Sequence, residues 1–120
     1  THLDHVSAAA RGEGARMIRE FFFPLKLPMI LAGDFNEPPD DPVYREFINA
    51  DSPLQDTWRQ AHPAGQEAVT QHGFDGRPRG SRIDWILYRG PVKLKLTGLY
   101  LFFMSLFHIP YIFTLHSDIL

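Results

Sequence analysis

The chain has 120 residues, a formal net charge of −2 and no cysteine. That length suits one small domain, and the charge excludes a global basic field that would draw nucleic acid, although local basic patches remain open to it. Without cysteine there are no disulfides, thiolate nucleophiles or sulfur ligands, so a metal would need oxygen or imidazole, and a reducing compartment is the natural setting.

The chain opens Thr1-His2-Leu3-Asp4, with neither a Met nor a charged-then-apolar leader, which points to a fragment or a mature product, the fragment being favoured. The leading THLDH is expected to be a strand. Ser7 is placed to cap a helix running to about Phe23, where Pro24 ends it. Ala10, Gly14, Met17/Ile18 and Phe21/Phe22 fall on one face at helical spacing, with Arg11, Glu13, Arg16, Arg19 and Glu20 mainly on the other. Gly12 and Gly14 weaken this helix by roughly 1 kcal/mol each relative to Ala, so tertiary packing must hold it.

Residues 29–33 are a short apolar run that reads as a buried strand. Asp41-Pro42 reads as N-cap and first helical residue of PVYREFIN, whose apolar side is Val43, Phe47 and Ile48. Gln55 to Trp58 is a short strand or a turn. Residues 59–81 are polar and rich in Gly and Pro, hence a long loop, and loops of that length in compact domains are usually functional or disordered. RIDWILY (82–88) is a strand, with Ile83, Trp85 and Leu87 facing one way and Asp84, Ile86 and Tyr88 the other. The order of elements gives a mixed α/β fold.

Composition changes near residue 96: every Lys and Arg lies before it, and Asp118 is the only formal charge from Leu96 to Leu120. LTGLYLFFMSLFHIPYIFTL (96–115) is twenty residues, long enough to cross a bilayer, with Arg89, Lys93 and Lys95 on one side as a cytosolic flank would be. Ser105, His108, Pro110 and Thr114 within it suit instead two buried strands with a turn at His108-Ile109-Pro110, the reading of a soluble intracellular chain. The two readings divide the chain at the same place, into 1–95 and 96–120.

Candidate chemistry gathers at strand ends. In PMILAGDFNEPP, Asp34 and Asn36 follow the apolar run; in extended chain they would share a side, a carboxylate for Mg²⁺ and an amide for a phosphate oxygen or a water. Alone, Asp-x-Asn before two prolines reads as an ordinary turn. Asp84 lies inside an apolar strand, where aspartate is depleted and needs a partner or a task. A salt bridge would suffice; a metal ligand or a histidine-orienting acid is the functional option. His2 and His5 lie near the start. His72 sits in QHGFDG, where Gly73 allows close backbone approach and Phe74 offers a stacking face. Arg77, Arg79 and Arg82 make a small basic cluster suited either to a phosphate or simply to solvating a loop.

Taken in order, THLDH, LAGDFNEPPDDPVY, QHGFDG and RIDWIL resemble the endonuclease/exonuclease/phosphatase superfamily of DNase I-like nucleases, sphingomyelinases and inositol-phosphate phosphatases, over residues 1 to about 90. The resemblance implies the C-terminal half of a two-sheet α/β sandwich, and divalent-metal-dependent hydrolysis of phosphate esters with Mg²⁺ or Mn²⁺. It implies that His2 bonds the scissile phosphate or helps proton transfer, that Asp34 orients the attacking water or binds metal, that Asn36 holds a phosphate oxygen, and that Asp84 lies near the floor of the site. It places His72 near substrate; Arg82, from the basic cluster near His72, is a further candidate phosphate contact. The substrate would be a small-molecule, lipid or nucleotide phosphate rather than a long nucleic acid.

Two departures bear on activity. The family's metal-binding asparagine and glutamate belong to an N-terminal half that precedes the residues present here. The family's closing serine-aspartate-histidine motif is matched by Ser117 and Asp118, the latter a candidate metal ligand, with Ile119 where the histidine belongs. Loss of one acid–base histidine costs about 10²–10⁴ in rate, so impaired turnover is expected. A tail read from an altered gene segment would explain the apolar run after residue 96. The competing reading is a non-catalytic or membrane-anchored remnant of such an enzyme.

Overall fold

The structure, a computed structural model, describes residues 1–75 and 77–91. The Oγ of Ser7 accepts the amide of Ala10 at 3.2 Å, starting helix α1 (Ala8–Phe22) where the sequence places it. Pro24 lies in a single 3-10 turn, Phe23–Leu25, and Lys26 (φ 51°) reverses the chain into strand β1 (Met29–Asp34). Helix α2 (Pro42–Phe47), strand β2 (Gln55–Asp56), helix α3 (Thr57–Ala61) and strand β3 (Asp84–Arg89) follow. The sheet is antiparallel in the order β1-β3-β2, so the two longest strands lie side by side.

The register pairs Leu31 with Leu87 and Gly33 with Trp85 on one face, and Ile30 with Tyr88, Ala32 with Ile86 and Asp34 with Asp84 on the other. The first face carries the core. Trp85 and Leu87 are buried against Phe35, Val43, Tyr44, Phe47, Leu54, Leu3 and Ala15. Phe35 stacks on Trp85 (centroids 4.4 Å apart), and Tyr44 and Phe47 meet these rings edge-on. Aromatic pairs in such geometry add about 0.5–1.5 kcal/mol each beyond area burial.

A polar network crosses the same core. Asp56 caps α3 through the amides of Trp58 and Arg59, accepts the Tyr44 hydroxyl at 2.9 Å, and pairs with Arg82 at 2.6 Å. Burial, reinforced by the charge of Asp56, holds the Tyr44 phenol well above its ordinary pKa, so it stays a donor. Glu67 bridges Arg82 and Arg59, and Arg59 reaches Asp40, which pins the segment after α3 to the body of the fold.

Three expectations are corrected. THLDH forms no strand: it makes one parallel bridge, His2 to Asp34, and then an Asx turn in which Asp4 accepts the amides of Val6 and Ser7. The buried side of α1 runs through Ala15 with Arg11 and Ile18 partly covered, whereas Met17 and Phe21 are 60% and 68% exposed. Small Ala15 and Gly14 let the helix approach closely; a Cβ at Gly14 would lie 3.1 Å from the Leu3 side chain. Finally, the long loop starts later than residue 59, since α3 extends to Ala61. No helix among the described residues is long and apolar enough to cross a membrane. The readings of 96–115 as span or strand pair, and the boundary at 96, fall outside the described residues.

Candidate active site

Phe35 explains why Asp34 and Asn36 face outward. Its ring is fully buried on Trp85, which turns the residues on either side of it away from the core. The Phe35 amide continues the ladder to the Ile83 carbonyl at 2.8 Å. Asn36 is not extended, as the spacing argument supposed. It takes φ of 52°, a left-handed conformation asparagine tolerates, and its amide donates to Oδ1 of Asp34 at 2.8 Å.

Asp34 is the middle of a row. On one side the parallel bridge sets His2 beside it, with Nε2 of His2 3.6 Å from Oδ2 of Asp34. On the other, Asp84 stands in direct antiparallel register. The leading segment is held by the terminal ammonium of Thr1 on the Ala32 carbonyl (2.7 Å), the amide of Leu3 on the Asp34 carbonyl (3.0 Å), and Nδ2 of Asn36 on the Leu3 carbonyl (2.9 Å). Gly33 makes this approach possible: a Cβ there would fall 1.9 Å from the Thr1 carbonyl oxygen. His2, Asp34, Asn36 and Asp84 thus share one corner, at the end of the sheet face that the helices leave uncovered.

Asp84 is anchored from behind. The Thr70 hydroxyl accepts both the Ile83 amide (3.0 Å) and the Asp84 amide (3.1 Å), tying the base of the Gly-rich loop to this row. His72 lies farther along that loop, in a hairpin closed by the His72–Pro78 bridge, and its Nδ1 accepts the Phe74 amide at 3.1 Å. Among the described residues its ring meets Phe74 edge-on within the hairpin.

Arg82 does not join the corner. Its side chain is 3% exposed and committed to Asp56 and Glu67, so the guanidinium faces the core network, apart from Arg77 and Arg79 on the exposed hairpin. Arg79 is itself paired with Asp75. Asp118 lies outside the described residues.

One residue not singled out in the sequence supports the corner. Glu37, next to Asn36, is buried; one carboxylate oxygen pairs with Nε of Arg11 at 2.9 Å and the other accepts the Val43 amide at 3.2 Å. Glu37, not Asp41, therefore provides the side-chain cap of α2. The available signal was an acid between the Asp-Phe-Asn triplet and the start of a helix.

Among the described residues, no three His, Cys, Asp or Glu side chains gather closely enough to enclose a metal ion. The donors at the corner are two opposed carboxylates flanked by an imidazole. Such a set suits a hard ion such as Mg²⁺, which binds through one or two carboxylates and completes its shell with water and phosphate oxygens, and it does not suit a cage made wholly of protein.

Two solved structures resemble the chain. A mannosyl-6-phosphatase of Bacteroides thetaiotaomicron shares 27% identity with the chain at a TM-score of 0.60, over 78% of this chain and 37% of that one. A second structure from the same organism, titled an endonuclease/exonuclease/phosphatase family protein, shares 28% identity at a TM-score of 0.57, over 73% of this chain and 34% of its own. The chain therefore spans little more than a third of either structure. No curated protein sequence matches it. The profile of the Endonuclease/Exonuclease/phosphatase family matches residues 3–106, and the chain belongs to that family.

Proposed function

We propose that the chain carries part of a metal-dependent phosphoester hydrolase site, with Asp34 aiming the attacking water. The observation that carries this reading is the row itself: a carboxylate with a histidine on one side and a second carboxylate in register on the other. Two carboxylates in register offer oxygen ligands of the kind a hard divalent cation takes. Asp34 and Asp84 would hold Mg²⁺ or Mn²⁺; when bound, the ion would neutralise charge on the phosphoryl oxygens.

The remaining steps belong to the protein. Asp34 orients a water and accepts its proton as the water oxygen bonds to phosphorus and the bond to the leaving oxygen breaks. Asn36 has a second side-chain N–H beyond the one given to Leu3, and it donates to a phosphoryl oxygen. His2, exposed beside Asp34, donates to the phosphoryl group or supplies the leaving oxygen with its proton. His72 contacts the part of the substrate beyond the phosphate. The substrate is a small phosphate ester, a class that includes the substrate in the mannosyl-6-phosphatase's name. Activity below that of a complete family member is expected, because the chain spans a third of its relatives' length.

The test is release of p-nitrophenol from p-nitrophenyl phosphate and its bis-ester with Mg²⁺. Asp34→Ala is expected to remove about 10²–10⁴ of the rate above background. Equal rates for wild type and Asp34→Ala would overturn the reading.

A further inference from the structure

Between the row and the helices lies a buried ion pair that the chemistry above does not use. Arg11 of α1 and Glu37 of the loop after β1 pair at 2.9 Å, with side chains 14% and 9% exposed. Each also holds something else. Nη1 of Arg11 donates to the Asp4 carbonyl at 3.1 Å, two residues beyond His2. The second oxygen of Glu37 accepts the Val43 amide, one residue inside α2, at 3.2 Å. The pair therefore joins the segment bearing His2, α1, the loop bearing Asn36, and α2.

The two sides it joins carry different halves of the site. His2 sits on a segment that is not a strand and whose hold on β1 comes from single hydrogen bonds. Asn36 sits on a turn of left-handed backbone. Neither is fixed by regular secondary structure, yet both must keep their places about Asp34. Asn36 bonds the Leu3 carbonyl directly; Arg11 bonds the residues that follow these two, the Asp4 carbonyl and the Glu37 carboxylate. Because the pair is largely covered, it is screened less than a surface pair, and removing one partner leaves the other charge in a mostly desolvated setting.

We propose that Arg11 and Glu37 are positioning residues, which set the His2 segment and the Asn36 turn in register with Asp34 without touching substrate. The inference deepens the proposed hydrolase reading and rests on it for its catalytic consequence. Its structural consequence stands alone: loosening the pair should free the His2 segment before it affects the rest of the sheet.

The experiment compares Glu37→Ala, Arg11→Ala and Arg11→Lys with Arg19→Ala, which removes an exposed pair between the same two helices (Arg19 to Glu46, 2.7 Å). Hydrogen exchange by NMR is read at the Leu3 amide, which bonds Asp34, and at the Leu87 amide in the core strand, both well below the melting temperature. Glu37→Ala and Arg11→Ala are expected to speed exchange at Leu3 at least ~10-fold relative to Leu87, since local opening is drawn from the less stable parts of a fold. Arg11→Lys should recover part of the protection, and Arg19→Ala should leave the ratio unchanged. Equal acceleration at Leu3 and Leu87, or the same response in Arg19→Ala, would mean the pair only stabilises the fold and would overturn the proposal.

Turnover adds the second arm. Glu37→Ala is expected to lower kcat by ~10–100-fold, as misplacement of catalytic groups does, with a much smaller change in KM. Unchanged kcat with selective Leu3 exchange would overturn the catalytic part. If wild type and Asp34→Ala turn over alike, the hydrolase reading fails, and the exchange ratio alone decides whether the pair positions the segment.

Discussion

Gly33 shows how one residue decides whether a site exists. Its φ of 155° and the 1.9 Å approach of the Thr1 carbonyl to any Cβ built there leave room only for glycine. The role is steric: the leading segment can lie along β1, and His2 can reach Asp34, because nothing projects between them. Gly33→Ala is expected to cost about 1–3 kcal/mol in urea denaturation, the range for a residue forced into a sparsely populated conformation. It should also displace His2, lowering turnover more than a stability loss of that size explains at temperatures where the variant is folded. An unchanged denaturation midpoint would show that the first residues do not sit against β1. Asn36 adds a second local constraint, since its left-handed backbone turns the Asp34 carboxylate and its own amide toward the same corner.

At the scale of elements, the same corner depends on a buried salt bridge on the far side of β3. Arg82 immediately precedes Ile83 and Asp84, and its pairing with Asp56 fixes where β3 begins. Arg82→Met would leave Asp56 charged and buried without that partner, at a cost of about 3–5 kcal/mol by denaturation. A raised KM with stability unaltered would instead support Arg82 as a phosphate contact, the role suggested by its place in the basic cluster. Its commitment to Asp56 was not legible because that partner is 26 residues away in sequence, beyond the reach of local pattern. Other features were legible. Ser7 and Pro24 bracket α1 because capping and proline act within a few residues. Alternation in β3 separated Trp85 and Leu87 from Asp84, since side chains in a strand must alternate. The inward face of α1 was legible only in part, through Gly14 and Ile18. Ala15 and Gly14 mark it by smallness rather than by hydrophobicity, and Arg11 is drawn inward by Glu37, which a hydrophobic period cannot register. For the site, the place of Asp34 and Asn36 where β1 ends could be read from the apolar run before them, whereas the start of β3 at Asp84, in register with Asp34, could not. The parallel bridge that brings His2 to Asp34, and the Glu37 cap, are tertiary facts.

For the molecule as a whole, carboxylates placed far apart act together through pH. Asp4 is held below its ordinary value of 3.8 by the amides of Ser7 and Val6, Asp40 below the same value by the Arg59 guanidinium, and Glu13 below 4.5 by Arg16. A carboxyl whose folded pKa is depressed binds its proton more readily when unfolded, so its contribution is present above the ordinary value and lost as pH falls through the folded one. The melting temperature is therefore expected to be insensitive to these three groups above pH 4.5 and to fall as the pH is taken below 3.8. Salt separates them. Arg16–Glu13 and Arg59–Asp40 are largely exposed ion pairs that added salt screens, whereas Asp4 bonds neutral backbone amides. Some of the acid sensitivity should thus survive in 1 M salt, where the Debye length is about 3 Å, and Asp4→Ala should remove that remainder. If the salt-resistant part persists in Asp4→Ala, the turn that leads from the His2 segment into α1 is not held by that carboxylate, and the path from the site to the helices runs through Arg11 alone.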